Sequence, residues 1–357
     1  MEQSKILETL GLTFDDVLLL PNFAAFKRED IDVSSYLTES IKLSIPLLSS
    51  PMDTVTESSM AIALGNLGGL GVIHRNLTIE RQVKEIKIAK VKTSLVGAAV
   101  GVGKDLVERS RELVKAGADI IIVDSAHGFS QGVIEATKYL AGVFKDIALV
   151  SGSVATAASA KALIEAGAKS LRVGMGPGSI CTTRVVAGTG VPQITAIMEA
   201  VSVAKKFGIP VIADGGLRYS GDIVKALAAG ASTVMSGSLF AGCLESPGKV
   251  VSIRGKKYKS YRGMGSVAAM KEGSAARYGQ EYRRGQETKL IAEGIEGMVP
   301  YQGTVENQAN QLLGGLRTGM YYTGVKNITE LQEKTRFIKV SQASQVENHP
   351  HDILNNL

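Results

Sequence analysis

Short apolar runs rich in β-branched residues recur along the chain, and most are followed by a stretch whose apolar positions repeat with a helical period. A strand covered on both faces reads as an unbroken apolar run, and the crossover to a parallel neighbour needs a helix. The alternation therefore predicts parallel βα units. Eight strand candidates can be read: Pro46 to Met52, Gly69 to His74, Leu95 to Val100, Asp119 to Ser125, Ala148 to Val154, Ser170 to Met175, Pro210 to Gly216 and Thr233 to Phe240. Helical patterns follow most of them, as at Lys104 to Ala116, Ala155 to Ala166, Thr195 to Phe207 and Ser220 to Ala229, with a last good helix at Thr304 to Thr323.

Strand starts lie roughly 20 to 30 residues apart, a usual βα repeat, except for roughly 40 between the sixth and seventh. The excess is Gly174 to Gln193, GMGPGSICTTRVVAGTGVPQ, too glycine-rich and irregular for helix or strand. A second excess, Leu244 to Gly303, follows the eighth strand and contains the polar run GSAARYGQEYRRGQETK. Eight such units predict an α/β fold, a (β/α)8 TIM barrel forming a single catalytic domain over 1–357. Both insertions then fall at the C-terminal strand ends, where these barrels carry their active sites. An open doubly wound sheet usually has fewer strands and a Gly-rich fingerprint after the first, whereas here the first strand ends in SSPMDTV.

A length of 357 residues with 45% hydrophobic and 21% charged residues suits one large α/β domain or two smaller ones. No apolar stretch reaches the roughly 18 to 20 residues of a membrane span, and Met1 to Leu10 carries acids where a signal peptide is basic, so a cytoplasmic protein is expected. The net charge of +6 could suggest nucleic acid, but it is scattered apart from Arg254 to Lys259 and Arg283 to Arg284, and a phosphorylated small molecule explains it equally well, so no specific nucleic-acid partner is expected. Two cysteines make no disulfide framework and fit a reducing compartment.

Of those two, Cys181 stands out. A thiolate is favoured where backbone N–H groups converge, and a glycine-rich loop is a costly way to hold a merely structural cysteine. Cys243, in SLFAGCLES, reads as a buried thiol. The same glycines can turn carbonyls inward and cage a monovalent cation. ADGG (Ala213 to Gly216) and SGS (Ser236 to Ser238) end the last two strands, where barrels place a phosphate on backbone amides. Asp214 beside them suits sugar hydroxyls, so a ribose monophosphate satisfies both. VDSAHG (Val123 to Gly128) puts Asp124, Ser125 and His127 at the rim of the fourth strand, the Asp toward ribose hydroxyls of a dinucleotide and the His as a cap or orienting group. GAAVGVGKD misses the phosphate-loop spacing and is rejected. Arg277 and Tyr278 form either an exposed flap or a catalytic pair, and the histidines of ENHPHD (Glu347 to Asp352) read by themselves as solvated.

GMGPGSICTTR, the rims DGG and GS, YRGMGS, ARYGQ and AEGIEGMVPY, preceded by FDDVLLLP, SSPMDTVTE and VIHRN, together resemble IMP dehydrogenases in order across nearly the whole chain. The related GMP reductases share the barrel and the Cys loop, but the Arg-Tyr pair that activates water is a dehydrogenase feature. A catalytically silent nucleotide-binding barrel is the reading from a different class. The resemblance implies NAD-dependent oxidation of IMP to XMP through a Cys181 thioimidate, with Arg277 as the base toward water, assisted by Tyr278 and Thr183.

By the same resemblance, Ser179, Gly215, Gly216, Gly237, Ser238 and Tyr261 hold the phosphate end, and Asp214 the ribose. Gly263, Met264, Gly265 and Glu293 face the purine, and Asp124, Ser125, Gly174, Met175 and Gly176 the NAD. Carbonyls of Gly176, Gly178 and Cys181 hold K+, completed by Glu347, Asn348 and His349 from a neighbouring subunit of a homotetramer. Residues about 267–303 form a mobile flap. Among its departures from the family, only Leu77 to Ser94 stands where a regulatory Bateman module usually lies, and Ser153 replaces a common Asn.

Overall fold

The computed structural model describes residues 5–283, 285 and 289–350. Eight parallel strands close into a barrel: Leu47–Ser49, Leu70–Ile73, Gly97–Val100, Ile120–Asp124, Ala148–Val154, Ser170–Val173, Val211–Asp214 and Thr233–Ser236. Each pairs with the next in the chain, and Met235 and Ser236 pair back onto Leu48 and Ser49 to complete the ring. The predicted (β/α)8 barrel is the observed architecture.

Two apolar clusters account for its stability. One fills the barrel interior, where Leu48, Val72, Ala99, Ile122, Val150 and Met235 are almost wholly buried. Leu37 and Leu43 join it from a short antiparallel hairpin, Ser35–Tyr36 with Lys42–Leu43, the first just after one strand and the second within the other. They meet Leu70, Ile120 and Ala148, the first residues of their strands, so the hairpin plugs the N-terminal end and leaves the C-terminal end for chemistry. The other cluster lies between strands and the surrounding helices, including Ile121, Val123, Leu149, Leu171 and Val173. Alternate strand residues thus serve opposite apolar faces, which is why the strands read as continuous runs.

Three departures from the sequence expectation bear on the C-terminal face of the barrel. The eighth strand stops at Ser236, because the Ser236 hydroxyl accepts from the Leu239 amide and starts the helical turn Ser238–Ala241. The loop read as free of helix contains Thr183–Ala187, closed by Gly188 in the left-handed region. The insertion after the eighth strand holds a three-stranded antiparallel sheet, Val250–Ile253, Lys256–Arg262 and Glu296–Pro300. Leu77 to Ser94 contains the second barrel helix, Ile79–Lys90, capped by the Thr78 hydroxyl. Among the described residues no helix is long and apolar enough to cross a membrane.

Candidate active site

The Cys181 loop leaves the sixth strand at Gly174, whose φ of 152° and close approach to the Asp214 carbonyl exclude a side chain: an added Cβ would lie 2.1 Å from that oxygen. The loop is then pinned from within and from across. Inside it, the Cys181 amide donates to the Gly178 carbonyl at 3.0 Å, and Arg184 reaches the carbonyls of Met175 (3.2 Å) and Val191 (2.6 Å). Across from it, the segment Glu293 to Ile295 pairs with the backbone, with Thr182 N donating to Glu293 O and Ile295 N to Ile180 O, both at 3.0 Å. This pairing brings Glu293 to the thiol's cleft. The Cys181 Sγ, only partly buried, lies 3.2 Å from the Thr183 hydroxyl.

Around that sulfur the cleft is lined by Asp214, Gly215, Gly237, Tyr261, Gly263 to Gly265, Thr183, Glu293, Arg277 and Tyr278, together with Gly174 to Gly176 and Gly178. Ser179, Gly216 and Ser238 open instead into an adjoining hollow that shares Pro177 with the cleft and adds Arg218 and Asp15. Tyr261 joins the two: it lines the cleft while its hydroxyl bonds Ser179, and burial pushes its phenol well above the ordinary range, so it stays a donor. The cleft and the hollow thus meet at Pro177 and Tyr261, and Asp214 lines the cleft. Burial raises the Asp214 carboxyl, while Arg172 and the Ser50 hydroxyl (3.5 Å) pull it back down.

Asp124 is the hub of a cluster of arginines. It is 2% exposed, and three guanidinium groups converge on it: Arg172 Nη1 at 2.8 Å from Oδ1, Arg75 Nε at 3.9 Å from Oδ2, and Arg277 Nη1 on Oδ2. Arg172 also lies 3.6 Å from Asp214 Oδ2, so one buried side chain reaches both Asp124 and Asp214. The segment carrying Arg277 is a short 3-10 helix, Ser274–Tyr278, docked by the Ser274 hydroxyl on the Met264 carbonyl and by the Ala126 amide on Arg277 O at 3.5 Å. Burial lowers the Arg277 guanidinium; Tyr278 opposes this and Arg75 adds to it. Burial raises the Tyr278 phenol against the pull of Arg277.

Other sequence expectations fall outside this cluster. His127 is exposed, its amide donating to the Ser125 hydroxyl at 3.3 Å. Cys243 is buried and its thiol pushed up to about 12, chiefly by burial. Glu347 ends the short helix Ser344–Glu347, the Asn348 amide donates to Ser344 O at 2.9 Å, and His349 stacks edgewise on Tyr219 at 6.0 Å. Arg284, Gln286 to Thr288, His351 and Asp352 lie outside the described residues.

Sequence reasoning missed Arg172, Arg75 and Gln193. Gln193 Nε2 donates at 3.0 Å to both Val173 O and Asp214 O, tying the sixth strand end to the seventh. A lone polar residue in an apolar strand or at a helix start carries no periodic signal; only the bond it makes across the barrel reveals its part.

A family model described as IMP dehydrogenase / GMP reductase domain matches residues 11–351. The inosine-5'-monophosphate dehydrogenase of Cryptosporidium parvum is 46% identical over 388 residues, covering 96% of this chain and 95% of that protein. Its counterpart in Borreliella burgdorferi is 45% identical over 395 residues, covering 96% and 97%. That of Aquifex aeolicus is 40% identical over 472 residues, covering 96% of each. The last alignment is longer than the 357 residues of this chain, so the Aquifex protein carries segments without a counterpart here.

Proposed function

The chain belongs to the IMP dehydrogenase / GMP reductase family, and from that premise we propose that it oxidises IMP to XMP with NAD, the committed step toward guanine nucleotides. The observation that carries the dehydrogenase reading is the docking of Arg277 and Tyr278 in the same cleft as Cys181. A reductase needs no water activated there.

The Cys181 thiolate adds to C2 of the purine, and the hydride on C2 leaves to NAD, giving NADH and a thioimidate. Water then attacks C2, its proton goes to Arg277, and the thiolate departs as XMP forms. Ser179, Gly215, Gly216, Gly237, Ser238 and Tyr261 hold the phosphate end; Asp214 takes the ribose; Gly263, Met264, Gly265 and Glu293 orient the base. Thr183, 3.2 Å from the sulfur, assists at the reacting centre. An arginine is ordinarily too strong a base to give up its proton. Burial and the neighbouring Arg75 supply a physical reason for this one to do so.

NAD uses Asp124, Ser125 and Gly174 to Gly176. Because Arg277 pairs with Asp124, dinucleotide and Arg277 take turns: of the flap read at about 267–303, the described segment Ser274–Tyr278 closes after NADH leaves, while Glu293 to Ile295 stays paired with the Cys loop. A potassium ion fits the neutral carbonyls of Gly176, Gly178 and Cys181, since the pinned loop leaves Gly178 O with one lone pair beyond its bond to the Cys181 amide. The ion would stiffen the Cys loop, and Glu347, Asn348 and His349 of a neighbouring subunit would help to hold it in a cytoplasmic homotetramer. The barrel works without a Bateman module, since the stretch from Leu77 to Ser94 is taken up by its own second helix.

Mixing the protein with IMP, NAD and K+ and following NADH absorbance tests the reading, and well-folded protein that makes none refutes it. Consumption of NADPH with GMP and release of ammonia would mark a reductase. IMP binding with no adduct on Cys181 would mark a silent barrel.

A further inference from the structure

Arg75 follows the second barrel strand in the run VIHRN. Its side chain is 16% exposed, and its Nε faces Asp124 Oδ2 at 3.9 Å, the same oxygen that Arg277 takes. That Nε has no hydrogen-bond partner among the described residues. The guanidinium lies over the backbone of Gly101 at the end of the third strand, where an added Cβ would come within 2.7 Å of Nη1.

The arrangement resolves a conflict in the hydrolytic step. A carboxylate partner stabilises the charged form of an arginine, so a private Asp124–Arg277 pair would make Arg277 a still poorer base. Asp124 is not private. Arg172 occupies Oδ1 and is itself shared with Asp214, while Arg75 shares Oδ2. The other groups facing Arg277 are its neighbour Tyr278, with Cys181 and Glu293 beside that ring, and the Asp105–Arg109 pair stands behind Arg75.

We propose that Arg75 is a positioning residue for hydrolysis: by sharing Asp124 Oδ2 it lets Arg277 dock on that carboxylate without being locked in its protonated form. Burial supports this from the other side, lowering Arg75 to about 10 and Arg277 below its ordinary value. The inference rests on the IMP oxidation reading and assigns no bond-making role to Arg75.

The test measures two steps separately across pH: the NADH burst, which reports hydride transfer, and the decay of the Cys181 adduct, followed by quenching and mass spectrometry. In Arg75→Gln the burst still forms, while adduct decay at pH 7 slows about tenfold and its pH profile moves up by about one unit, the equivalence of a unit shift and a factor of ten. Arg75→Lys keeps the charge and keeps the wild-type profile. An undisplaced profile in the glutamine variant, or a displaced one in the lysine variant, overturns the role of Arg75. A wild-type protein that forms no adduct overturns the oxidation reading instead.

Discussion

Arg172 Nη1 lies 2.8 Å from Asp124 and 3.6 Å from Asp214, so a single guanidinium joins these two aspartates. Replacing Asp124 by Asn leaves Arg172, Arg75 and Arg277 without their shared anion. Breaking such a buried pair costs roughly 3–5 kcal/mol, so Asp124→Asn should lower the melting temperature measurably. In steady-state NADH assays it should also raise KM for NAD by about tenfold or more, since the variant loses the acceptor proposed for the dinucleotide. An unchanged KM for NAD would sink that assignment.

Such a link is invisible in the sequence, and the reason is physical. The barrel strands were legible because both faces are buried, making runs such as Ile120 to Val123 uniformly apolar. Arg172 interrupts the run Ser170–Val173 and looks like a misfit until the barrel closes and brings the fourth and seventh strand ends to it. Cys181 was legible for the opposite reason: its loop is too long and too rich in glycine for a connection. The helix Thr183–Ala187 within that loop was not, because five residues are too few to display a period.

The two thiols should differ sharply in reactivity. Cys181 is partly exposed in the cleft, whereas Cys243 is wholly buried, with Lys259 donating to its carbonyl at 2.9 Å. Brief treatment with iodoacetamide at pH 8 followed by peptide mass spectrometry should label Cys181 alone, and IMP should slow the labelling. Cys181→Ala should still bind IMP while forming neither adduct nor NADH. Equal labelling of both cysteines in folded protein would contradict this picture.

Cys243 also sets an alkaline limit. Its folded value is raised to about 12 from an ordinary 9.0, so the unfolded chain releases this proton first. The sign follows: the contribution is intact below pH 9 and is lost as pH rises from there toward 12. Cys243→Ala should flatten the fall of melting temperature across that window relative to the wild type. Parallel slopes in a thermal-shift series would show that other groups dominate.

Arg262 donates to both oxygens of Asp53, at 3.2 Å from Nε and 2.7 Å from Nη2, while Asn76 reaches Oδ2 at 2.7 Å. These bonds clamp the strand Lys256–Arg262, and with it Tyr261, to the loop after the first barrel strand. A hydrogen bond to a charged group contributes about 1.5–3 kcal/mol. Asp53→Asn should therefore destabilise the protein by an amount of that order in urea denaturation and weaken IMP binding through Tyr261. Retained stability would leave the clamp without energetic weight.

Gly237 provides the most local test of the phosphate end. A Cβ there would lie 2.6 Å from the Tyr261 hydroxyl and 2.8 Å from Met52 Sδ. Met52 has room to shift, but Tyr261 is buried and its hydroxyl is engaged with Ser179, so Gly237→Ala should push the ring off that partner. Loss of one well-placed donor to the phosphate corresponds to about tenfold in affinity, or about 1.4 kcal/mol. We expect KM for IMP to rise by that factor or more, with the Cys181 adduct still forming at saturating IMP because the thiol and its loop are untouched. Tyr261→Phe should reproduce the same rise without the steric clash, and adding it to Gly237→Ala should cost little more, because both changes remove one interaction. Full additivity of the two would mean that Gly237 acts on the phosphate through its own amide and not through Tyr261.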